Sequence, residues 1–88
     1  MVSTFIVVFD ISKDGNPSGL YEKFKTYEGW AKTTESSWAI ASEKKASEIR
    51  NELVPYIGST GRIFILKSGK AAAWRNVFAS NDWFKKNL

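Results

Sequence analysis

The sequence predicts an α+β domain in which an antiparallel sheet carries two helices on one face. Three observations point there. Two runs, Phe5 to Phe9 and Ile63 to Leu66, are apolar at every position, as strands covered on both sides are. Two segments between them place apolar residues three or four apart, the period of a helix with one buried face. The chain has 88 residues, room for a single hydrophobic core and for one domain, 1–88.

The elements follow in order. Val2 to Phe9 is rich in β-branched and aromatic residues and stops at Asp10, which predicts a first strand. Asp10 to Ser18 holds Asp, Ser, Gly, Asn and Pro, with Asp14-Gly15 as the tightest turn signal. Leu20, Phe24 and Tyr27 then recur at helical spacing after Pro17-Ser18, so a first helix is expected from Leu20 to about Tyr27, ending near Gly29. Thr33 to Ala41 alternates, with Ser36, Trp38 and Ile40 on one face and Ser37, Ala39 and Ala41 on the other, and reads as a second strand with Trp38 in the core. Ser42 is a suitable cap for a second helix carrying Ala46, Ile49 and Leu53, which Pro55 is expected to end or kink. Gly58 to Gly61 reads as a turn without a phosphate-loop pattern, and Arg62 to Lys67 as a third strand.

The end of the chain leaves alternatives open. Ala71 to Val77 suits a short fourth strand or a helix, and Ser80 to Leu88 a capped terminal helical turn ending in Lys85-Lys86. Two helices in so short a chain suit a ferredoxin-like sandwich of βαβ-βαβ type. Helices cover only one face of such a sheet, yet its central strands are apolar on both, so something must cover the other face. The most economical cover is a second copy, giving a face-to-face homodimer; the alternative is the Trp-rich tail, residues 69–88, folded back over it.

Composition narrows the chemistry. There is no His and no Cys, which excludes thiol nucleophiles, disulfides, Cys- or His-based zinc sites and His-based acid-base catalysis. Thirteen Lys and Arg against nine Asp and Glu give +4, an excess that permits a polyanionic partner without requiring one. Beyond Asn51 the only acids are Glu52 and Asp82, so the excess is C-terminal: Lys67, Lys70, Arg75, Lys85 and Lys86 are the candidate contacts to DNA or RNA. Trp30, Trp74 and Trp83 are candidates for stacking on bases. The longest apolar runs fall far short of the roughly 20 residues that span a bilayer, and the N-terminus does not read as a secretory signal, so no membrane partner and a cytoplasmic location are expected.

Several short motifs carry a resemblance. Val7-Val8-Phe9-Asp10-Ile11, Ser36-Ser37-Trp38, Ala46 to Arg50 and Gly61-Arg62-Ile63-Phe64-Ile65 are similar to the second CRISPR-associated (Cas) protein of spacer acquisition and its small stand-alone SinR-family relatives. The ending, with Trp74 and Trp83-Phe84-Lys85-Lys86-Asn87-Leu88, resembles the stand-alone relatives more. The resemblance implies a ferredoxin-like homodimer associated with nucleic acid and, in some members, a metal-dependent nuclease. By the same resemblance Asp10 would face its symmetry mate, be the catalytic residue, and share a divalent cation such as Mg²⁺. Ser12, Lys13 and Asp14 stand where the CRISPR members carry basic and aromatic residues after the acid. Three functions are thus expected from the residues and the resemblance: a dimeric nucleic-acid-binding or scaffolding protein, a divalent-metal-dependent endonuclease using paired Asp10, or a protein-binding adaptor without nucleic-acid affinity.

Overall fold

A computed structural model of the chain describes residues 1–69 and 71–88; Lys70 lies outside the described residues. The elements are β1 (Ser3–Asp10), α1 (Pro17–Phe24), β2 (Gly29–Thr34), β3 (Ser37–Ser42), α2 (Ala46–Ile57), β4 (Arg62–Lys67) and α3 (Asn81–Asn87). The four strands form one sheet in the order β2-β3-β1-β4, every neighbouring pair antiparallel.

Local chemistry sets the boundaries, and several differ from the sequence expectation. Pro17 opens α1 with its fixed φ, and the Asn16 side chain accepts from the Gly19 N–H at 3.0 Å. The helix stops at Phe24, short of Tyr27, because the Thr26 hydroxyl and the Thr26 N–H both turn back to the Lys23 carbonyl. Tyr27 is buried all the same. The single strand expected over Thr33 to Ala41 is in fact the end of β2, a turn at Glu35-Ser36 and β3. Its alternation runs on through the turn, which hid the hairpin from a reading by period. The turn is closed by the hydroxyls of Thr33, Thr34 and Ser37, which hydrogen-bond to one another, and β2 shifts register between Lys32 and Thr34.

Ser42 is the last residue of β3 rather than a helix cap, although its hydroxyl accepts from the Lys44 N–H at 3.0 Å. The helix starts at Ala46, where the Glu48 carboxylate accepts the Lys45 N–H at 2.9 Å. Pro55 neither ends nor visibly stops α2, which continues to Ile57. A proline in the last turn forfeits one backbone hydrogen bond, and burial of Leu53 and Ile57 outweighs it. Among the described residues 71–79 neither a fourth strand nor a helix forms.

Both long helices cover the inner face of the sheet. Phe5, Val7 and Phe9 of β1, with Trp38 and Ile40 of β3, bury against Leu20 and Phe24 of α1 and Ile49, Leu53 and Ile57 of α2. Phe24 stacks on Trp38 with ring centres 4.9 Å apart, so large flat side chains supply the burial that a short chain needs. Tyr27 donates to Glu52 at 2.7 Å, and Lys44 and Lys23 also face that carboxylate, tying α2 to the turn after α1. The hydrogen bond from Lys44 holds Glu52 below the ordinary carboxyl range, while burial, then Glu52, push the Tyr27 phenol up.

The outer face is where the tail matters. Ala31, Thr33, Ala39 and Ala41 lie on it and are all buried, although no long helix is there. Their cover is residues 71–88: Trp74, Val77, Phe84 and Leu88 line one cavity with Ile6, Thr33 and Ser37, and the Trp83 ring lies over Gly29. The sequence left open a second copy or the tail as cover, and over the β2–β3 half it is the tail. On the β1–β4 half Val8, Phe64 and Leu66 remain exposed. No helix among the described residues is long and apolar enough to cross a membrane.

Candidate nucleic-acid interface

The site is built along the outer edge of β2, the last strand on that side of the sheet. Trp30 and Lys32 are two residues apart on this strand and therefore point to the same side. Trp30 leans on the buried Trp38, ring centres 6.1 Å apart, and remains 43% exposed. The segment after β4 is pinned to this edge by the Phe78 N–H, which donates to the Thr33 carbonyl at 3.2 Å. That bond leaves the Phe78 ring 61% exposed, with the Lys32 ammonium 4.9 Å from its centre. Lys25, at the C-terminal end of α1, stands 5.7 Å from the centre of the Trp30 ring.

The third aromatic comes from α3. Ser80 caps this helix, its hydroxyl accepting the Trp83 N–H at 3.2 Å, and Phe84 is buried as the seat of the helix on the sheet. Phe84 meets Trp83 edge-on at 5.7 Å and Trp74 at 4.9 Å, while the Trp74 indole N–H donates to Asn81 at 2.9 Å. Seating Phe84 therefore fixes Trp83 beside β2 and turns Lys85 and Lys86 outward. A groove of about 270 Å³ lies between Trp30, Lys32, Phe78 and Trp83, and a wider concavity of about 500 Å³ bordered by Asp82, Lys85 and Lys86 shares Ser80 and Trp83 with it. Aromatic faces interleaved with ammonium groups are what stacking on bases beside a phosphate backbone requires. Lys25 pairs with Glu22 at 3.4 Å and Lys32 with Glu35 at 3.7 Å, exposed contacts worth so little that a phosphate can replace them.

The structure sorts the residues singled out by sequence. Lys85 and Lys86 join the groove; Arg75 is exposed but does not line it, and Lys70 lies outside the described residues. Lys67 ends β4 at the opposite edge of the sheet, so the C-terminal charge excess is not one patch. Trp38 is core, 5% exposed. Sequence reasoning missed Lys25, Lys32 and Phe78 as partners of Trp30 and Trp83. The i, i+2 spacing of Trp30 and Lys32 was a usable signal, hidden because the strand was expected to begin only at Thr33, which left both residues outside it.

Asp10 ends β1 on the outer face, where its cross-strand partner is Arg62 at 3.7 Å, both side chains largely exposed. Among the described residues no three metal-ligating side chains converge anywhere. One exposed carboxylate facing a guanidinium does not fit Mg²⁺, which demands near-octahedral oxygen ligands. The residues of a single chain therefore support no metal-dependent step at Asp10. The other titration anomaly, Asp14, has its carboxyl lowered to about 2 by hydrogen bonds from the Ser12 hydroxyl and then from Ser59. It ties the β1–α1 loop to the α2–β4 turn and faces no groove of this kind.

No protein-family model, no curated protein and no solved structure matches the chain.

Proposed function

We propose that this chain is a non-catalytic, ferredoxin-like nucleic-acid-binding module whose contact surface is the β2-edge groove. The strand order β2-β3-β1-β4, with α1 joining β1 to β2 and α2 joining β3 to β4, supports the ferredoxin-like assignment. The observation that carries the binding reading is the convergence of Trp30, Phe78 and Trp83 with Lys25, Lys32, Lys85 and Lys86, drawn from two distant stretches of sequence onto one edge. The resemblance to the second CRISPR-associated protein agrees in partner class. The reading takes one chain as the binding unit, because a face-to-face pair would have only the β1–β4 half of the outer face to use.

Fluorescence titration with short single-stranded DNA and RNA across a salt series tests it. Saturable binding at about 50 mM salt, weakening steeply as salt rises, is expected, with quenching of tryptophan emission. Trp83→Ala should weaken it by about 1 to 3 kcal/mol, and Lys85→Ala with Lys86→Ala should flatten the salt dependence. Absence of binding at about 50 mM salt refutes the reading.

A further inference from the structure

The two edges of the sheet are treated differently. At β2 the tail closes the edge, through the Phe78 N–H on the Thr33 carbonyl. At β4 the strand bonds to β1 on one side, and among the described residues no strand pairs with its other side. An open edge presents a row of unpaired N–H and C=O groups, a template for a further strand. This one holds six residues, Arg62–Lys67, with neither proline nor bulge to block pairing.

Its surroundings specify what would pair. On the outer face, Phe64 is 62% and Leu66 42% exposed, and they continue the apolar row of Ile6 and Val8 across the sheet. On the inner face the edge is flanked by a groove of about 270 Å³ where Arg50 of α2 stands beside Ile63 and Ile65, and Lys67 points to this same side. Successive residues of an added strand alternate between the two faces. One set would lie beside Phe64 and Leu66, the other beside Arg50 and Lys67.

We propose that the free edge of β4 accepts, as a fifth strand, an extended segment of a protein partner in which apolar and acidic residues alternate. Main-chain hydrogen bonds supply the docking, apolar side chains extend the Phe64–Leu66 row, and carboxylates meet Arg50 and Lys67. Charge argues against a second copy as occupant: β4 itself, Arg62–Lys67, carries no carboxylate to meet Arg50 and Lys67. This site lies across the sheet from the β2-edge groove and stands independently of it.

The test is a titration of the full isotope-labelled chain, followed by NMR, with a capped eight-residue peptide of alternating valine and glutamate. Saturable shifts centred on residues 62–67 are expected, with slowed amide exchange there. A valine–lysine peptide should not bind, and a peptide of the same valines and glutamates in adjacent pairs should bind more weakly. Arg50→Glu combined with Lys67→Glu, both exposed and therefore tolerated by the fold, should weaken binding by about tenfold or more, while Lys85→Glu with Lys86→Glu should leave it unchanged. The proposal is overturned by equal binding of the lysine peptide, by shifts centred on Lys85 and Lys86, or by no saturation. Shifts in β4 that depend on protein concentration without peptide would identify a second copy as the occupant and overturn it equally.

Discussion

Asp14 shows how one exposed side chain can hold two loops. It accepts the Ser12 hydroxyl at 2.6 Å and the Ser59 N–H at 3.1 and 3.2 Å through its two oxygens, and Ser59 follows Gly58, whose φ of +88° suits glycine. Because the carboxyl is lowered from the ordinary 3.8 to about 2 in the folded chain, its contribution is full above the ordinary value and is lost as pH falls through the folded one. Asp14→Ala should therefore lower Tm by a few degrees at neutral pH, and the gap to the unaltered chain should shrink as pH falls from about 4 toward 2. Thermal melts across that range decide it: a gap that does not change with pH would mean that the charge is not what matters. The Asp14-Gly15 turn was legible in the sequence. Its distant partner, Ser59, was not.

Among elements, α3 carries the most consequence for its size. Its cap at Ser80 and its extent follow from local sequence, as expected. What it covers does not, because nothing in Ser80 to Leu88 states which face of the sheet it will meet. Phe84, 2% exposed, is the anchor, with Trp74 and Trp83 packed around it. Phe84→Ala should cost about 3 kcal/mol or more of docking. The readout is a red shift in emission from Trp74 and Trp83 as they meet water, together with weakened nucleic-acid binding. Unchanged emission would show that the helix is seated by something other than Phe84. The hairpin β2–β3 is the complementary lesson. Alternation located its second strand correctly but not the turn, since hydroxyl-rich Thr33 to Ser37 reads equally as strand.

For the whole molecule, the question is how many chains make a unit. The sequence correctly marked β1 and the strand at Arg62 to Lys67 as apolar on both faces. The tail then removes the β2–β3 half of the outer face from water, and the exposed remainder is centred on Val8, Phe64 and Leu66. Three exposed apolar side chains are a small share of the roughly 20 to 30 residues a side that a stable interface of standard size uses. Sedimentation equilibrium at tens of micromolar should show a 9.9 kDa species. A stable pair would restore the face-to-face homodimer that the sequence suggested.

The sequence by itself determined the class of the fold, the core and the excluded chemistry. Period, β-branching and turn residues act over a few positions, and an absent His or Cys needs no structure to be read. Only the tertiary structure decided that Asp10 faces Arg62, that Lys67 is parted from Lys85 and Lys86 by the width of the sheet, and that Trp30, Phe78 and Trp83 share a groove. The physical reason is that strand order and the path of the tail depend on contacts between residues far apart in the chain. Those contacts are fixed by which apolar faces remain to be covered, and no local pattern records that.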